Sequence, residues 1–426
     1  MVGFSFIQNN NTPPGRVGVG LSSIVGPTGA IGPTGAQALT TGMLDAFGRF
    51  RVSNPYTLFD SQNRYKLNNS FDTYATGAGA NITYSTGTST VLLNVGTTAT
   101  NHVLRETYKV FPYQPGKSLL VMNSFMFNPA KAGLVQQVGY YGSNNGIYLK
   151  QDGSSVYIVK RVEGTGDILI PQASWNCDPL NGTGYSGITL DLTKSQILFI
   201  DFEWLGVGSV RVGFLINGQY VYAHIFDYAN IGYSTYMTTA CLPIRYEIYN
   251  TSVTSSSSTL TQICSTVISE GGYQGTSLKR YATTSTSTTN VSTSLTPIIS
   301  IRLRSDRLDA IVLPSQVDMI VTSNSTIQYS LIYNGTVTGG TWVQYGTGSN
   351  VEYNITPNTI SGGQSIDQAY LSSNSQTKST LSGNSFEYDL TLGRTLSGVS
   401  DTITLCAISF SGTATVAASL GWVELI

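Results

Sequence analysis

Val210–Phe226 reads VRVGFLINGQYVYAHIF, and its alternation decides the fold class. Val210, Val212, Phe214 and Ile216 share one face of an extended strand, because successive side chains point to opposite sides. Asn217-Gly218 supplies the two positive-φ positions of a type I′ turn, and Val221 and Ala223 return on the same face. The stretch therefore predicts a β-hairpin. Just upstream, SQILFIDFEW (Ser195–Trp204) is a continuous apolar run, which predicts a strand buried on both faces or in a central place of a sandwich.

The same pattern recurs along the chain. In TPIISIRLRSD (Thr296–Asp306), Ile299, Ile301 and Leu303 face inward while Arg302 and Arg304 face out. TIQYSLIYNGTVTGGTWVQY (Thr326–Tyr345) offers a second Asn-Gly turn at Asn334-Gly335. DTITLCAISFSG (Asp401–Gly412) and AASLGWVELI (Ala417–Ile426) complete the strands. No amphipathic helix longer than about three turns is visible, against a helical share of roughly a third in globular proteins. The expected fold is all-β: a jelly-roll-like sandwich, a second smaller sandwich, and an extended N-terminal arm.

Composition agrees. Charged residues are 11% of 426, about half the usual share, and Ser, Thr, Asn, 45 Gly and 26 Tyr take their place. Such a mixture favours pleated sheets and tight turns. Lys and Arg number 22 against 23 Asp and Glu, a balance with no electrostatic footprint for nucleic acid or an anionic membrane. No apolar run approaches a membrane span, and MVGFSFIQNNNTPPGRVG has no leader pattern. Cys177, Cys241, Cys264 and Cys406 form no C-x-x-C pair and read as free, buried thiols.

Four segments follow. Residues 1–41 read as an arm in which Gly26, Gly29, Gly32 and Gly35 keep a three-residue period, with Pro27 and Pro33 after glycine. That is collagen-like, since only glycine fits the axis of three wound chains. It reads either as a polyproline spacer or as a short three-chain stem. Residues 42–272 form the large sandwich, 273–296 a Ser/Thr-rich linker and 297–426 the second sandwich. Asn250–Gln262 reads as an exposed loop.

Candidate chemistry is sparse. Asp201 and Glu203 share a strand face at a spacing of roughly 7 Å, as paired carboxylates of a glycoside hydrolase would, but Leu205 stands where a third acid belongs. They read as a polar strand edge. His102 and His224 are the two histidines, too few for a triad or a zinc site, and His224 reads as a surface or interface residue across the hairpin from Arg211. Tyr140, Tyr141 and Tyr148 could line a sugar-binding patch or be ordinary strand tyrosines. Loop oxygens around Asp178 or Asp191 could hold calcium. No cofactor motif is present, and the expectation is of a chain that is no enzyme.

LDAFGRFRVSNPYTLFDSQNRY (Leu44–Tyr65) places Phe50 and Val52 on one face and Arg49, Arg51 and Ser53 on the other, then bends at Asn54-Pro55. It reads as an anchor: a strand pinning the arm to the sandwich, or an edge strand guarded by its charges. The segment resembles one in virion structural proteins of tailed bacteriophages and large DNA viruses. LPIRYEIYN, TQICSTVISEGGY and PIISIRLRSDRLDAIVLP resemble passages that accompany it. The resemblance, spanning roughly Leu44 to Pro314, implies a virion component such as a capsid-associated, fibre or tail protein. The assembly and anchor residues of the segment are read as Asp45, Phe47, Arg49, Arg51, Asn54, Pro55 and Asp60. The expected partners are two further copies in a homotrimer, other virion proteins, and a host-surface glycan or receptor.

Overall fold

A computed structural model describes residues 54–272, 277–284, 287–373, 376–380 and 390–425. Asp45, Phe47, Arg49, Arg51 and the four stem glycines Gly26, Gly29, Gly32 and Gly35 lie outside the described residues. So do the arm's other expected features.

Fifteen strands build the first sandwich. They are β1 (Pro55–Ser61), β2 (Phe71–Thr76), β3 (Asn81–Ser85), β4 (Thr90–Val95) and β5 (His102–Thr107). Next come β6 (Ser118–Met126), β7 (Leu134–Tyr141), β8 (Gly146–Asp152), β9 (Ser155–Val162) and β10 (Gly166–Pro171). The last are β11 (Gln196–Phe202), β12 (Val210–Ile216), β13 (Gln219–Phe226), β14 (Ile244–Asn250) and β15 (Ser258–Glu270). One sheet runs β13-β12-β11-β6-β15-β4-β3, and the other β10-β9-β8-β7-β14-β5-β2. All pairings among them are antiparallel.

β15 organises the first sheet. One edge pairs with β6; the other takes β4 along Ser258–Gln262 and β1 along Ser265–Glu270. Beyond β6, β11 sits between β6 and β12, the central place its apolar run implies. Leu93, Val121, Leu198, Val212 and Phe214 of this sheet pack against Val103, Val138, Ile147, Ile158, Tyr246 and Ile248 of the other. The hairpin closes at Asn217 (φ 52°) and Gly218 (φ 75°), the left-handed pair a type I′ turn requires.

The second sandwich pairs a five-stranded sheet with a six-stranded one among the described residues. Its core gathers Trp422, Ile299, Ile301, Leu303, Leu331 and Leu405. Ile311, just before its strand Val312–Val321, and Leu313 within it join the core of the first sandwich instead. An apolar seam thus joins the two.

Three sequence expectations change here. The segment read as a Ser/Thr-rich linker carries strands Ser277–Thr283 and Thr289–Val291, both hydrogen-bonded to Ala414–Leu425. Hydroxyl side chains tolerate a pleated edge, so composition alone did not separate strand from tether. Ser258–Gln262, read as loop, begins β15. At Asn334-Gly335 only Asn334 has positive φ, and the strands on either side pair elsewhere: Thr326–Tyr333 with Gln364–Ser372 and Thr402–Ser409, Thr336–Thr338 with Thr359–Ser361. The turn redirects the chain between sheets.

Phe202 is fully buried, its ring 5.8 Å from those of both Tyr113 and Tyr140. Phe202→Ala is expected to cost about 3–5 kcal/mol, read from urea denaturation. A loss under about 1 kcal/mol would contradict this core.

Candidate functional site

The outward face of the seven-stranded sheet carries the densest polar chemistry. β14 reads IRYEIYN: Ile244, Tyr246 and Ile248 enter the core, so Arg245, Glu247 and Tyr249 must point outward. In register beside them stand Glu106, Leu104 and His102 of β5, and Gly139, Gln137 and Val135 of β7. Arg161 of β9 lies opposite Asp167 of β10. A groove of about 350 Å³ is bounded by His102, Gln137, Arg161, Asp167, Arg245 and Glu247, with Tyr249 and Asn250 at one end.

Each charge in it is held. Glu247 Oε1 lies 2.7 Å from His102 Nε2, and Oε2 accepts from the Tyr141 hydroxyl at 3.1 Å. An ionised carboxylate only accepts, so Nε2 carries the proton. Arg161 clasps Asp167 with two bonds, Nε to Oδ1 at 2.7 Å and Nη2 to Oδ2 at 3.1 Å. Tyr148 donates to the same Oδ2 at 2.6 Å. Arg245 Nε donates to Glu106 Oε2 at 2.6 Å, and its guanidinium lies 5.1 Å from the Tyr141 ring centre.

Burial works against these charges, and the partners outweigh it. Desolvation alone would raise the Glu247 carboxyl. The His102 hydrogen bond, the Arg245 charge and the Tyr141 hydroxyl together hold it below the usual glutamate value. Desolvation of Asp167 is likewise overcome by hydrogen bonds from Arg161 and Tyr148 and by Lys150, so that carboxyl is also depressed. Burial drives the Tyr141 and Tyr148 phenols up, keeping both protonated as donors. Both carboxyls are therefore acceptors at neutral pH.

A glycine makes this floor possible. A Cβ on Gly139 would sit 2.6 Å from the Cα and Cβ of Tyr148. Its absence lets Tyr148 lie against Tyr141, ring centres 4.2 Å apart and stacked. At the rim, Thr100 holds φ 74°, a strained setting for a β-branched residue. Asn250 spends its amide on the Gly96 and Thr98 carbonyls, while its buried Oδ1 has no hydrogen-bond partner.

Of the residues singled out from sequence, the structure brings His102, Tyr141 and Tyr148 together here. Tyr141 and Tyr148 are fully buried beneath Arg161 and cannot stack on a sugar, and Tyr140 points into the core. The rings open to a ligand are Tyr249 and the exposed Tyr74, which flank His102 at 5.5 and 5.7 Å. Asp201 lies on the other sheet, paired with Arg211 at 2.8 Å and accepting from Ser118. β11 ends at Phe202, so Glu203 falls in the following turn and accepts from Ser209. The expected shared strand face does not form.

His224 is buried, not at the surface. It lies opposite Val212, with Arg211 opposite Ile225, because a bulge at Val212/Gly213 shifts the register. Its Nδ1 accepts from the Asn176 amide, and burial lowers its basicity despite Asp227. Asp178 and Asp191 hold backbone turns, through Leu180 and Ser186 and through Thr193. Among the described residues no three His, Cys, Asp or Glu converge as metal ligands. The four cysteines are free; only Cys406 is fully buried.

Asn54 and Asp60 are exposed, and Pro55 opens β1 against Glu270. Asp60 borders a larger groove of about 680 Å³ on the opposite sheet, floored by Met122, Ile197, Leu215 and Cys264. That groove offers mainly apolar contact, whereas the charges and the strained Thr100 gather at the smaller one.

Sequence reasoning missed Glu247, Arg245, Arg161, Asp167 and Glu106. The readable signal was Arg-x-Glu-x-Tyr on one face of an otherwise apolar strand.

No family model matches the chain, and no curated protein matches it. It is similar to the solved CBM2 module of the evolved Dit of Lactobacillus casei BL23 phage J-1, at 7% identity over 53% of this chain and 100% of that one, TM-score 0.33. It is similar to the Crh5 transglycosylase in complex with NAG at 12% identity, over 53% of this chain and 86% of that one, TM-score 0.34. A glycosyl hydrolase family protein from Mycobacterium fortuitum matches at 8% identity over 50% and 99%, TM-score 0.36. The expectation of a chain that is no enzyme is not carried forward: a transglycosylase and a glycosyl hydrolase family protein are among the structures it is similar to.

The depressed carboxyls set a pH dependence. A folded-state value below the unfolded one adds stability above the ordinary carboxylate range, about 3.9–4.3, and loses it as pH falls through the folded value. Urea midpoints should therefore drop on acidification below about pH 4. Glu247→Gln should flatten part of that drop. Identical pH slopes in both proteins would contradict the assignment.

Proposed function

We propose that this chain is a structural protein of a virion surface whose large sandwich displays a saccharide-binding groove. One observation carries the binding half: ionised carboxylates, arginines and an amide are held in fixed geometry around a groove edged by Tyr249, with the exposed Tyr74 beside His102. Sugars present adjacent hydroxyls that donate to carboxylates and accept from amides and guanidinium groups, with an apolar ring face that rests on an aromatic side chain. Paired charges of both signs favour a neutral saccharide over a strongly anionic one.

The virion half is supported by the Leu44–Tyr65 segment and by the collagen-like triplets upstream. In this reading the arm attaches the chain to the particle, neighbouring copies assemble as a trimer, and the sandwich faces outward. Asp45, Phe47, Arg49, Arg51, Asn54, Pro55 and Asp60 serve the attachment.

The test is equilibrium binding of neutral oligosaccharides to the full chain, with the products of each incubation sized in parallel. Glu247→Gln should weaken binding at least about tenfold by removing a charged acceptor, while Asp201→Asn on the opposite sheet leaves it unchanged. Saccharide shortening that disappears with Glu247→Gln would make the groove catalytic as well. Binding indifferent to Glu247 would remove the groove from the account.

A further inference from the structure

A single buried carboxylate connects this groove to the second sandwich. Glu106 on β5 is 1% exposed and stands between two arginines. Arg245 reaches its Oε2 from within the first sandwich. Arg394 Nη2 stands 3.0 Å from its Oε1 as an ion pair without hydrogen-bond geometry, on the segment leading into strand Thr402–Ser409 of the second.

That segment is fixed in place. The Arg394 amide donates to the Tyr108 carbonyl at 2.9 Å, and the Leu396 amide donates to Asp72 Oδ2 at 2.7 Å. Asp401 braces it from behind, accepting from the Gly393 amide at 2.9 Å and from Asn334 at 2.6 Å. Arg394 is thus presented on a rigid support, although it does not line the groove.

We propose that Arg394 is a positioning residue for the saccharide groove, acting through Glu106 and Arg245; this rests on the function proposed above. Two cations divide one carboxylate, one oxygen each. This division holds Arg245 at Oε2, over the Tyr141 ring, and the Tyr141 hydroxyl bonds Glu247. Without Arg394, Oε1 is a desolvated charge with no cation, and the nearest replacement is Arg245 itself. Turning Arg245 to chelate both oxygens draws it off Tyr141 and loosens the donor that orients Glu247. The second sandwich then sets the affinity of a site it does not touch.

The experiment uses the full chain and the same neutral oligosaccharides, with three variants. Arg394→Met is expected to weaken binding about threefold to tenfold, the scale of couplings within one charged network. Arg394→Lys, which keeps a cation at Oε1, should restore most of it. Leu313→Ala loosens the apolar seam but leaves Arg394 in place, and should bind as the parent does. Equal losses in Arg394→Met and Leu313→Ala would reduce the effect to seam stiffness and overturn the proposal, as would no loss in Arg394→Met. Should Arg394→Met not fold, Arg394→Gln takes its place.

A ligand-free readout separates this from the functional reading. The chain has two histidines, so the His102 ring signals in an NMR spectrum are assigned by comparison with His224→Gln. They should move in Arg394→Met and stay put in Leu313→Ala, because His102 is bonded to Glu247 at the end of the chain of contacts. If the parent protein binds no saccharide, the proposed function fails. The ring signals then decide the coupling alone: unmoved signals overturn it.

Discussion

A charge buried away from water must be matched where it stands, and Glu106, 1% exposed, meets that requirement with two arginines. Its carboxylate is shared by Arg245 and Arg394, one from each sandwich. The pairing does two things at once. It matches the buried Glu106 charge on the outward face of the seven-stranded sheet, and it ties the second sandwich to the first. The apolar seam of Ile311 and Leu313 supplies contact area there, but apolar contact is non-directional. Direction comes from the ions and from the amides of Arg394 and Leu396.

From that point the face is ordered by successive partnerships. Arg245 lies over Tyr141, Tyr141 bonds Glu247, and Glu247 bonds His102; alongside, Tyr148 and Arg161 hold Asp167. Every member is already oriented, so a ligand meeting this face would not have to order it. Preorganisation of this kind lowers the entropic cost of binding. The strained Thr100 lies on the same rim, a departure from local optimality of the sort that collects at functional sites. By contrast, Arg105 points into the core of the same sheet and spends its donors on Gln262, Thr73 and Asn68. It serves the packing of the two sheets, and burial lowers its pKa to about 10.

The fold was legible because β-structure writes its period directly into sequence. The Asn217-Gly218 hairpin and the apolar run of β11 were read in place from alternation and turn chemistry. What escaped was whatever alternation does not encode. Thr and Ser edges such as Ser277–Thr283 look like tethers, and the Asn334-Gly335 turn looks like a hairpin until its flanking strands choose other partners. The bulge that moves His224 into the interior is a one-residue event. The site was least visible of all. Its members come from β5, β7, β9, β10 and β14, and antiparallel pairing across distant segments, not spacing, assembles them. Asp201 and Glu203 drew attention because they are neighbours in sequence, which placed them at a strand end on the wrong sheet.

The central claim is that the outward face of β14 and its neighbours is where this chain holds a saccharide. A crystal structure of the full chain soaked with a neutral oligosaccharide tests it most directly. The account predicts sugar density against Tyr249, with hydroxyls within hydrogen-bond distance of Glu247 and Asp167. Ordered sugar in the apolar groove over Met122, Ile197 and Leu215, with the β14 face left bare, would contradict it.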